Sequence, residues 1–136
     1  MIKIQKKDFN TNTEIQKIKD ELPEAGAVST FIGYVRNNNN NKKVSAIELE
    51  VYEKMAKKTL KNIELDACNK WDLYKILIIH RYGKIKVNEK IVLIAAFSKH
   101  RKDGFNAITY IMDFLKKDAP FWKKEFYNDD FEWLEN

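Results

Sequence analysis

The strongest constraint on the fold is the apolar run over residues 90–97, Lys-Ile-Val-Leu-Ile-Ala-Ala-Phe. Its length and its β-branched residues are typical of a deeply buried strand. A second strongly apolar strand is predicted over residues 74–80, and only a turn at 81–83 and a short alternating piece at 84–87 separate the two. Strands joined by such short connections pair antiparallel. The chain is therefore expected to build a mostly antiparallel sheet around these strands.

Three segments carry apolar residues at helical spacing and predict helices that pack against this sheet. Thr11 and Glu14 offer a capping box for the first helix, and Pro23 closes it. The second runs over residues 53–71, and the third begins after Ser98 and ends before Pro120. The predicted apolar stripes are Ile15, Ile18 and Leu22; then Ala56, Leu60, Ile63, Ala67 and Trp71; then Phe105, Ile108, Met112 and Leu115, backed by Ile111 and Phe114.

The remaining segments complete an α+β fold in the order β-α-β-β-α-β-β-β-α-β. Gly33 interrupts one strand and predicts a bulge or a close backbone approach. Between two strands, five asparagines at 37–41 and the pair Lys42-Lys43 form a low-complexity loop that is predicted to be mobile, with no means of packing. Further strands or extended segments are predicted at residues 2–5, 26–35, 44–52, 121–126 and 131–134.

Composition predicts a single domain over residues 1–136 that is soluble and cytoplasmic. Of the 136 residues, 44% are hydrophobic and 33% are charged, and the mean hydropathy is -0.56. No apolar run approaches the roughly 18 to 20 residues that would span a bilayer, and the N-terminus has no apolar core of signal-peptide length. A membrane partner is therefore not expected.

The net charge and the lone cysteine limit the kinds of partner and site that the chain can have, but they do not identify one. A net charge of +5 and a pI of about 9.1 suggest an anionic partner, which leaves nucleic acid, a phosphorylated small molecule and an acidic protein open. Cys68 is the one cysteine, so it cannot form an internal disulfide, and it is predicted to be a buried, inert thiol. With only two histidines in the chain, no metal site is expected.

Cations crowd the start of the last predicted helix, where the helix dipole favours anions. Only Asp103 balances Lys99, His100, Arg101 and Lys102. These groups predict a site that binds an anion, although they could instead splay into solvent above an ordinary Ser98 cap. Arg36, at the exit of a strand, could join this site or be an ordinary surface arginine. By contrast, His80 and Arg81 precede a turn glycine and are interpreted as structural.

Two lysines flank the break at Pro120. Lys116 lies in the last turn of a helix, where a cation suits the negative end, and that position alone could explain it. Because Pro120 ends the helix, the chain can fold back and bring Lys116 and Lys123 towards one cleft. Phe121 and Trp122, part of a short apolar plug over residues 119–122, are expected to wall that cleft. A lysine beside other cations has a lowered pKa and can act as acid, base or nucleophile.

Several separated blocks of the chain together resemble the large, catalytic subunit of molybdopterin synthase. They occur in the family's order and spacing over most of residues 26–126, and the last block is the most specific. The blocks are Gly26-Ala-Val; Phe31-Ile-Gly-Tyr-Val-Arg36-Asn37; His80-Arg81-Tyr82-Gly83; Ser98-Lys99-His100-Arg101; Met112-Asp113-Phe114-Leu115-Lys116; and Ala119-Pro120-Phe121-Trp122-Lys123-Lys124-Glu125.

The resemblance implies an α/β hammerhead-like α+β domain that needs no metal or cofactor for sulfur transfer. It implies an enzyme that converts cyclic pyranopterin monophosphate into the dithiolene of molybdopterin. The sulfur would come from the C-terminal Gly-Gly thiocarboxylate of a small ubiquitin-like subunit, within a heterotetramer built on a homodimer of this chain. By motif, the implied catalytic residues are Lys116 and Lys123. The implied substrate-binding residues are Tyr34, Val35, Arg36, His100, Arg101, Lys116, Lys123, Lys124 and Glu125.

One departure from the family pattern is the asparagine loop, because relatives usually carry His, Gly and acidic residues there. Two other functions are compatible with the composition. Tyr34, Tyr52, Phe121 and Trp122 could form a stacking surface for nucleic acid, although Glu48 and Glu50 interrupt it. Alternatively, a basic groove could bind a small acidic partner without catalysis.

Overall fold

The computed structural model describes residues 1–118, 120–127 and 130–134, and these form the predicted α+β fold. Ala119 of the predicted apolar plug lies outside the described residues. The helices are α1 (Thr11–Asp20), α2 (Glu53–Lys70) and α3 (Arg101–Asp118). The strands are β1 (Ile2–Gln5), β2 (Ala27–Tyr34), β3 (Asn38–Asn39), β4 (Lys42–Lys43), β5 (Ala46–Val51), β6 (Leu73–Arg81), β7 (Gly83–Lys86), β8 (Lys90–Ser98), β9 (Phe121–Tyr127) and β10 (Asp130–Leu134).

Two four-stranded sheets carry the fold. The central sheet has the order β1-β6-β8-β2, with β1 parallel to β6 and the other pairs antiparallel. The second sheet has the order β10-β9-β5-β7 and is antiparallel throughout. The mostly antiparallel pairing confirms the sequence prediction, whereas the single domain over residues 1–136 stays a prediction.

Helices cover both faces of the central sheet. On β6, Ile76 and Ile78 pack with α2 and α3, whereas Leu77 and Ile79 pack with α1. Because adjacent residues of a strand point to opposite faces, a strand that is covered on both sides must be apolar throughout. This is why β6 and β8 are the most hydrophobic runs of the chain.

The bulge predicted at Gly33 is confirmed. The register between β2 and β8 shifts between Gly33 and Tyr34. The glycine also allows a close approach, because a Cβ atom there would lie 3.0 Å from Cγ1 of Val92.

The predicted cap of the first helix is wrong by one residue. Asn10, not Thr11, is the N-cap, and its side-chain oxygen accepts a hydrogen bond from the Thr13 amide at 2.9 Å. Glu14 is therefore free of the predicted capping box, and its carboxylate accepts from Lys3 at 2.9 Å. This contact ties α1 to β1.

The apolar stripe predicted for the last helix is misplaced at its start. Phe105 is 59% exposed, and the buried residues of α3 are Gly104, Ala107 and Ile111. A Cβ atom at Gly104 would lie 2.4 Å from Oγ of Ser29. The first turns of α3 thus approach the sheet through small residues, a contact that a search for large apolar residues overlooks.

The asparagine loop forms a short hairpin in which β3 pairs with β4. Asn40 and Asn41 take the left-handed conformation at its tip, with φ of 52° and 65°. Asparagine tolerates this conformation better than most residues, and two consecutive positive φ values are typical of a tight hairpin turn. The prediction that the loop has no means of packing is wrong, because Asn39 contacts Glu125.

Cys68 is exposed, which contradicts its predicted burial. It follows Ala67 on α2, and one residue turns a helix by about 100°, so the thiol leaves the buried stripe. Partial desolvation and the nearby Glu64 carboxylate raise the pKa of Cys68. The thiolate that would react is therefore disfavoured.

Among the described helices, none is long and apolar enough to cross a membrane.

Candidate functional site

Lys116 and Lys123 line one cavity, as the break at Pro120 predicts. The cavity has a volume of about 380 Å³ and lies where the end of α3 meets the start of β9. Its walls are mainly apolar, and among the lining residues that the structure describes, the charged side chains are those of the two lysines. The lining residues are Phe31, Leu49, His80, Ile91, Val92, Met112, Leu115, Lys116, Phe121, Lys123 and Leu134.

Strand alternation in β9 decides which of its residues reach the cavity. Phe121 and Lys123 face inwards, and Lys123 sits opposite Leu49 of β5, another lining residue. Trp122 points to the other face of the sheet and is 50% exposed. It lines a separate groove with Trp133 and residues 50–52. The prediction that Trp122 walls the cleft is therefore wrong.

Lys124 also points away from the cavity. Its Nζ lies 4.7 Å from the ring centroid of Phe131 and 4.6 Å from that of Trp133, both on β10. These are cation–π distances. Although the motif pairs Lys123 with Lys124, the strand places them on opposite faces, and only Lys123 lines the cavity.

Glu125 is held by hydrogen bonds from other side chains of the protein. It is buried, and its carboxylate accepts hydrogen bonds from Nδ2 of Asn39 at 3.1 and 3.2 Å and from the Tyr127 hydroxyl. The hydrogen bond to Glu125 raises the pKa of Tyr127 to about 12. Glu125 thus fastens the β3–β4 hairpin to β9, and it is not among the lining residues.

His80 is a cavity residue that the sequence interpretation missed. Its ring stacks on Phe121 with 3.8 Å between centroids and an angle of 18° between planes. Burial lowers the pKa of His80 to about 4, and the charge of Lys123 adds to that effect. The imidazole is therefore neutral near pH 7. The available signal is polarity, because His80 follows Ile76 and Ile78 in the row of β6 that packs against α2 and α3.

Arg81 is structural, as predicted. Its Nη1 donates to the Lys90 carbonyl at 2.9 Å, and its Nε donates to the Lys6 carbonyl at 3.1 Å. The Glu89 carboxylate lies 3.8 Å from Nη1. These bonds hold β6 beside β8 next to the cavity.

His100 and Arg101 lie at the opposite end of α3 from Lys116. They line a shallow depression with Lys102, Phe105 and Asn106, and none of these residues lines the lysine cavity. At a rise of 1.5 Å per residue, Arg101 and Lys116 are about 22 Å apart along the helix axis. Within one chain, the two predicted parts of the site are therefore separate.

The three predicted site residues before the asparagine hairpin differ in burial and in the groove that they line. Val35 is buried, and its amide donates to the Glu89 carbonyl at 3.0 Å, so its side chain belongs to the core. Tyr34 is exposed and lines another groove with residues 8–12 and Lys90. Arg36 is exposed just beyond β2, at the sheet end where Ile91 and Val92 line the cavity, but it is not itself a lining residue.

The cavity combines two ammonium groups with apolar walls and one neutral imidazole. Electrostatic attraction is stronger in such surroundings than in water, so the lysines suit an anionic group. Over the described residues, no cluster of three or more His, Cys, Asp or Glu could hold a metal ion. The aromatic residues predicted to stack on nucleic acid do not share one surface, because Phe121 is buried against His80 while Tyr52 and Trp122 line the separate groove.

Comparisons with known proteins identify relatives over most of the chain. The family model described as MoaE protein matches residues 4–118. A molybdopterin synthase catalytic subunit from Ralstonia nicotianae is 47% identical over 124 residues, which cover 91% of this chain and 70% of the relative. One from Haemophilus influenzae is 39% identical over 134 residues, 98% of this chain and 89% of the relative. The crystal structure of molybdopterin synthase from Staphylococcus aureus superposes with a TM-score of 0.89 at 32% identity, covering 98% of this chain and 96% of that one.

Proposed function

The chain belongs to the MoaE protein family, and we propose that it is the catalytic subunit of a molybdopterin synthase. It takes sulfur from the C-terminal thiocarboxylate of a small ubiquitin-like subunit and transfers it to cyclic pyranopterin monophosphate, which yields the dithiolene of molybdopterin. The observation that carries this proposal is the cavity that Lys116 and Lys123 both line. The cytoplasmic location remains a prediction.

The two lysines act on the anions of this reaction. A thiocarboxylate tail is extended and negatively charged, and an apolar cavity with two ammonium groups attracts its terminus. As the sulfur attacks the pterin precursor, a lysine donates a proton to the departing water or phosphate. The sulfur is then joined to both the pterin and the tail as a thioester, and attack by water breaks its bond to the tail carbonyl carbon. The sulfur stays on the pterin, and the other ammonium stabilises the carboxylate that hydrolysis leaves on the tail.

The predicted cations at the other end of α3 fit this function if a second copy supplies them. A pterin monophosphate is too short to bridge the roughly 22 Å between Arg101 and Lys116 of one helix. We therefore propose that, in the homodimer, His100 and Arg101 of one copy hold the substrate beside Lys116 and Lys123 of the other. Arg36, at the cavity end of β2, adds a further cation to the same site.

The direct test is dithiolene formation by the purified complex with thiocarboxylated small subunit and pterin precursor. Lys116→Ala is expected to reduce the rate at least 100-fold, because a charge that stabilises the transition state is lost. Lys117→Ala is the matched control: it removes a neighbouring, exposed lysine of the same helix turn that does not line the cavity. It should retain nearly the full rate.

Equal rates for Lys116→Ala and wild type would show that Lys116 takes no part in the chemistry. If the wild-type complex forms but makes no product, the enzymatic proposal fails. A non-catalytic scaffold that binds a small acidic partner would then be the better description.

A further inference from the structure

His80 occupies an unusual position for a polar residue. It follows Ile76 and Ile78 on the face of β6 that packs against α2 and α3, and it is only 9% exposed. At this point the packed layer ends and the cavity begins, so the ring lies between the core and the cavity. An aliphatic residue would continue the row without the cost of burying a polar ring.

The hydrogen bond of the imidazole defines its tautomer. Nδ1 lies 2.9 Å from the Arg81 carbonyl oxygen. A carbonyl can only accept, so Nδ1 carries the proton, and in a neutral ring Nε2 then carries a lone pair. Nε2 has no hydrogen-bond partner among the described residues, yet it is not sealed in the interior. It therefore presents an unused acceptor to the cavity.

This acceptor complements the other polar groups of the cavity. Lys116 and Lys123 offer only donors, and the remaining lining residues that the structure describes have apolar side chains. His80 is thus the one side-chain acceptor in this part of the wall. A ligand held by the lysines alone would be recognised by its negative charge, with nothing to pair with its own N–H or O–H groups.

We infer that His80 is a substrate-binding residue whose Nε2 accepts a hydrogen bond from an N–H or O–H group of the pterin precursor. The inference rests on the proposed function and adds to it a residue that selects a hydrogen-bond donor. Phe121 holds the ring in plane by stacking, and the Arg81 carbonyl fixes its rotation, so the acceptor is oriented before the substrate arrives. Neutrality matters because a protonated ring would have no lone pair to offer.

Two variants separate the acceptor from the ring. His80→Phe keeps an aromatic ring to stack on Phe121 but has no acceptor, whereas His80→Gln keeps a hydrogen-bonding amide near the position of Nε2. In the complex with the small subunit, we expect His80→Phe to bind the pterin precursor about tenfold more weakly than wild type. His80→Gln should stay within about threefold. Inorganic sulfate, which carries no donor hydrogen, should bind all three proteins equally.

A spectroscopic measurement tests the contact without relying on activity. With ¹⁵N-labelled histidine in this chain only, the complex has two histidine side chains to observe, His80 and His100. The unprotonated Nε2 resonance of His80 should move when the precursor binds and remain unmoved with sulfate. Circular dichroism and thermal unfolding of His80→Phe establish that the variant is folded.

The outcomes distinguish this inference from the proposed function. If the wild-type complex turns over the precursor, but a folded His80→Phe variant binds it as tightly as wild type, the inference is overturned and the proposed function stands. An unmoved Nε2 resonance at saturating precursor overturns it as well. If the wild-type complex neither binds nor converts the precursor, both proposals fail.

Discussion

At the scale of single residues, adjacent side chains in β9 have different surroundings because a strand alternates its faces. Lys123 lines the apolar cavity, while Lys124 lies over two aromatic rings on the other side of the sheet. The motif treats the two lysines as equivalent neighbours. The structure separates them, and this separation can be measured.

Lys123→Ala is expected to lower dithiolene formation about 100-fold, because it removes a donor from the site where negative charge develops. Lys124→Ala should change the rate less than threefold, since it removes only the cation–π contacts of a half-buried lysine that does not line the cavity. The measurement is the rate of dithiolene formation by each variant in the same complex. Equal losses in the two would mean that the substrate does not bind where the cavity lies.

His80 gives the stability of the protein a pH dependence. Its pKa is about 4 in the folded protein against an ordinary 6.5, and the charged groups that face it across the cavity are Lys116 and Lys123. Between these two pKa values the unfolded chain binds a proton that the folded protein rejects. Stability is therefore full above pH 6.5 and falls as the pH drops towards 4, by about 3 kcal/mol from this group.

The check is urea unfolding of wild type and His80→Gln at pH 7 and pH 5. The wild type should lose about 1 to 2 kcal/mol more than the variant between these values, because glutamine does not titrate. Parallel losses in the two proteins would show that the imidazole is accessible to protons in the folded state.

At the scale of secondary structure, α3 approaches the central sheet through small residues. Gly104 faces Ser29 and Ser98, both buried, and a Cβ atom there would come within 3.1 Å of the Ser29 Cβ and 2.4 Å of its Oγ. Helix propensity therefore favours alanine at this position, whereas packing favours glycine. Packing is the larger effect because the helix start must lie close to β2 and β8.

Gly104→Ala should accordingly destabilise the protein by about 1 to 3 kcal/mol, through overpacking. On helix propensity alone the same change would stabilise it by about 1 kcal/mol. Urea unfolding measures the sign directly, and the double variant Ser29→Ala with Gly104→Ala should recover part of the loss. A more stable single variant would mean that the helix start moves away from the sheet at little cost.

At the scale of the whole molecule, the distance between the two cationic ends of α3 bears on how many copies of the chain form one site. The helix carries His100 and Arg101 at one end and Lys116 at the other, about 22 Å away. One chain therefore cannot present all of them to one small substrate. If they act together, two copies must share each site.

Mixed dimers test this arrangement. Chains with Lys116→Ala, co-expressed with chains carrying Arg101→Ala under a different affinity tag, should form dimers in which one of the two sites is intact. We expect these mixed dimers to regain about half of the wild-type activity, while each parental homodimer stays nearly inactive. Mixed dimers as inactive as their parents would place a complete site within one chain.

The sequence by itself determined the elements and the position of the main break. Local periodicity and backbone preference act within a few residues of the chain. They account for the stripe from Ala56 to Ala67, the apolar runs of β6 and β8, and the bulge at Gly33. Pro120 determined that Lys116 and Lys123 could line one cavity, because a proline after several helical turns lacks the N–H that would continue the helix and clashes with the preceding turn. The motif blocks pointed to the family, which the comparisons then identified.

The tertiary structure alone decided which elements face one another. Periodicity told the faces of β9 and α3 apart but not what covers them, so Trp122 and Phe105 were expected inside and lie outside. His80 looked structural because its stacking partner, Phe121, is distant in sequence. These features depend on contacts between residues far apart in the chain, and such contacts exist only once the sheet and helices have packed together.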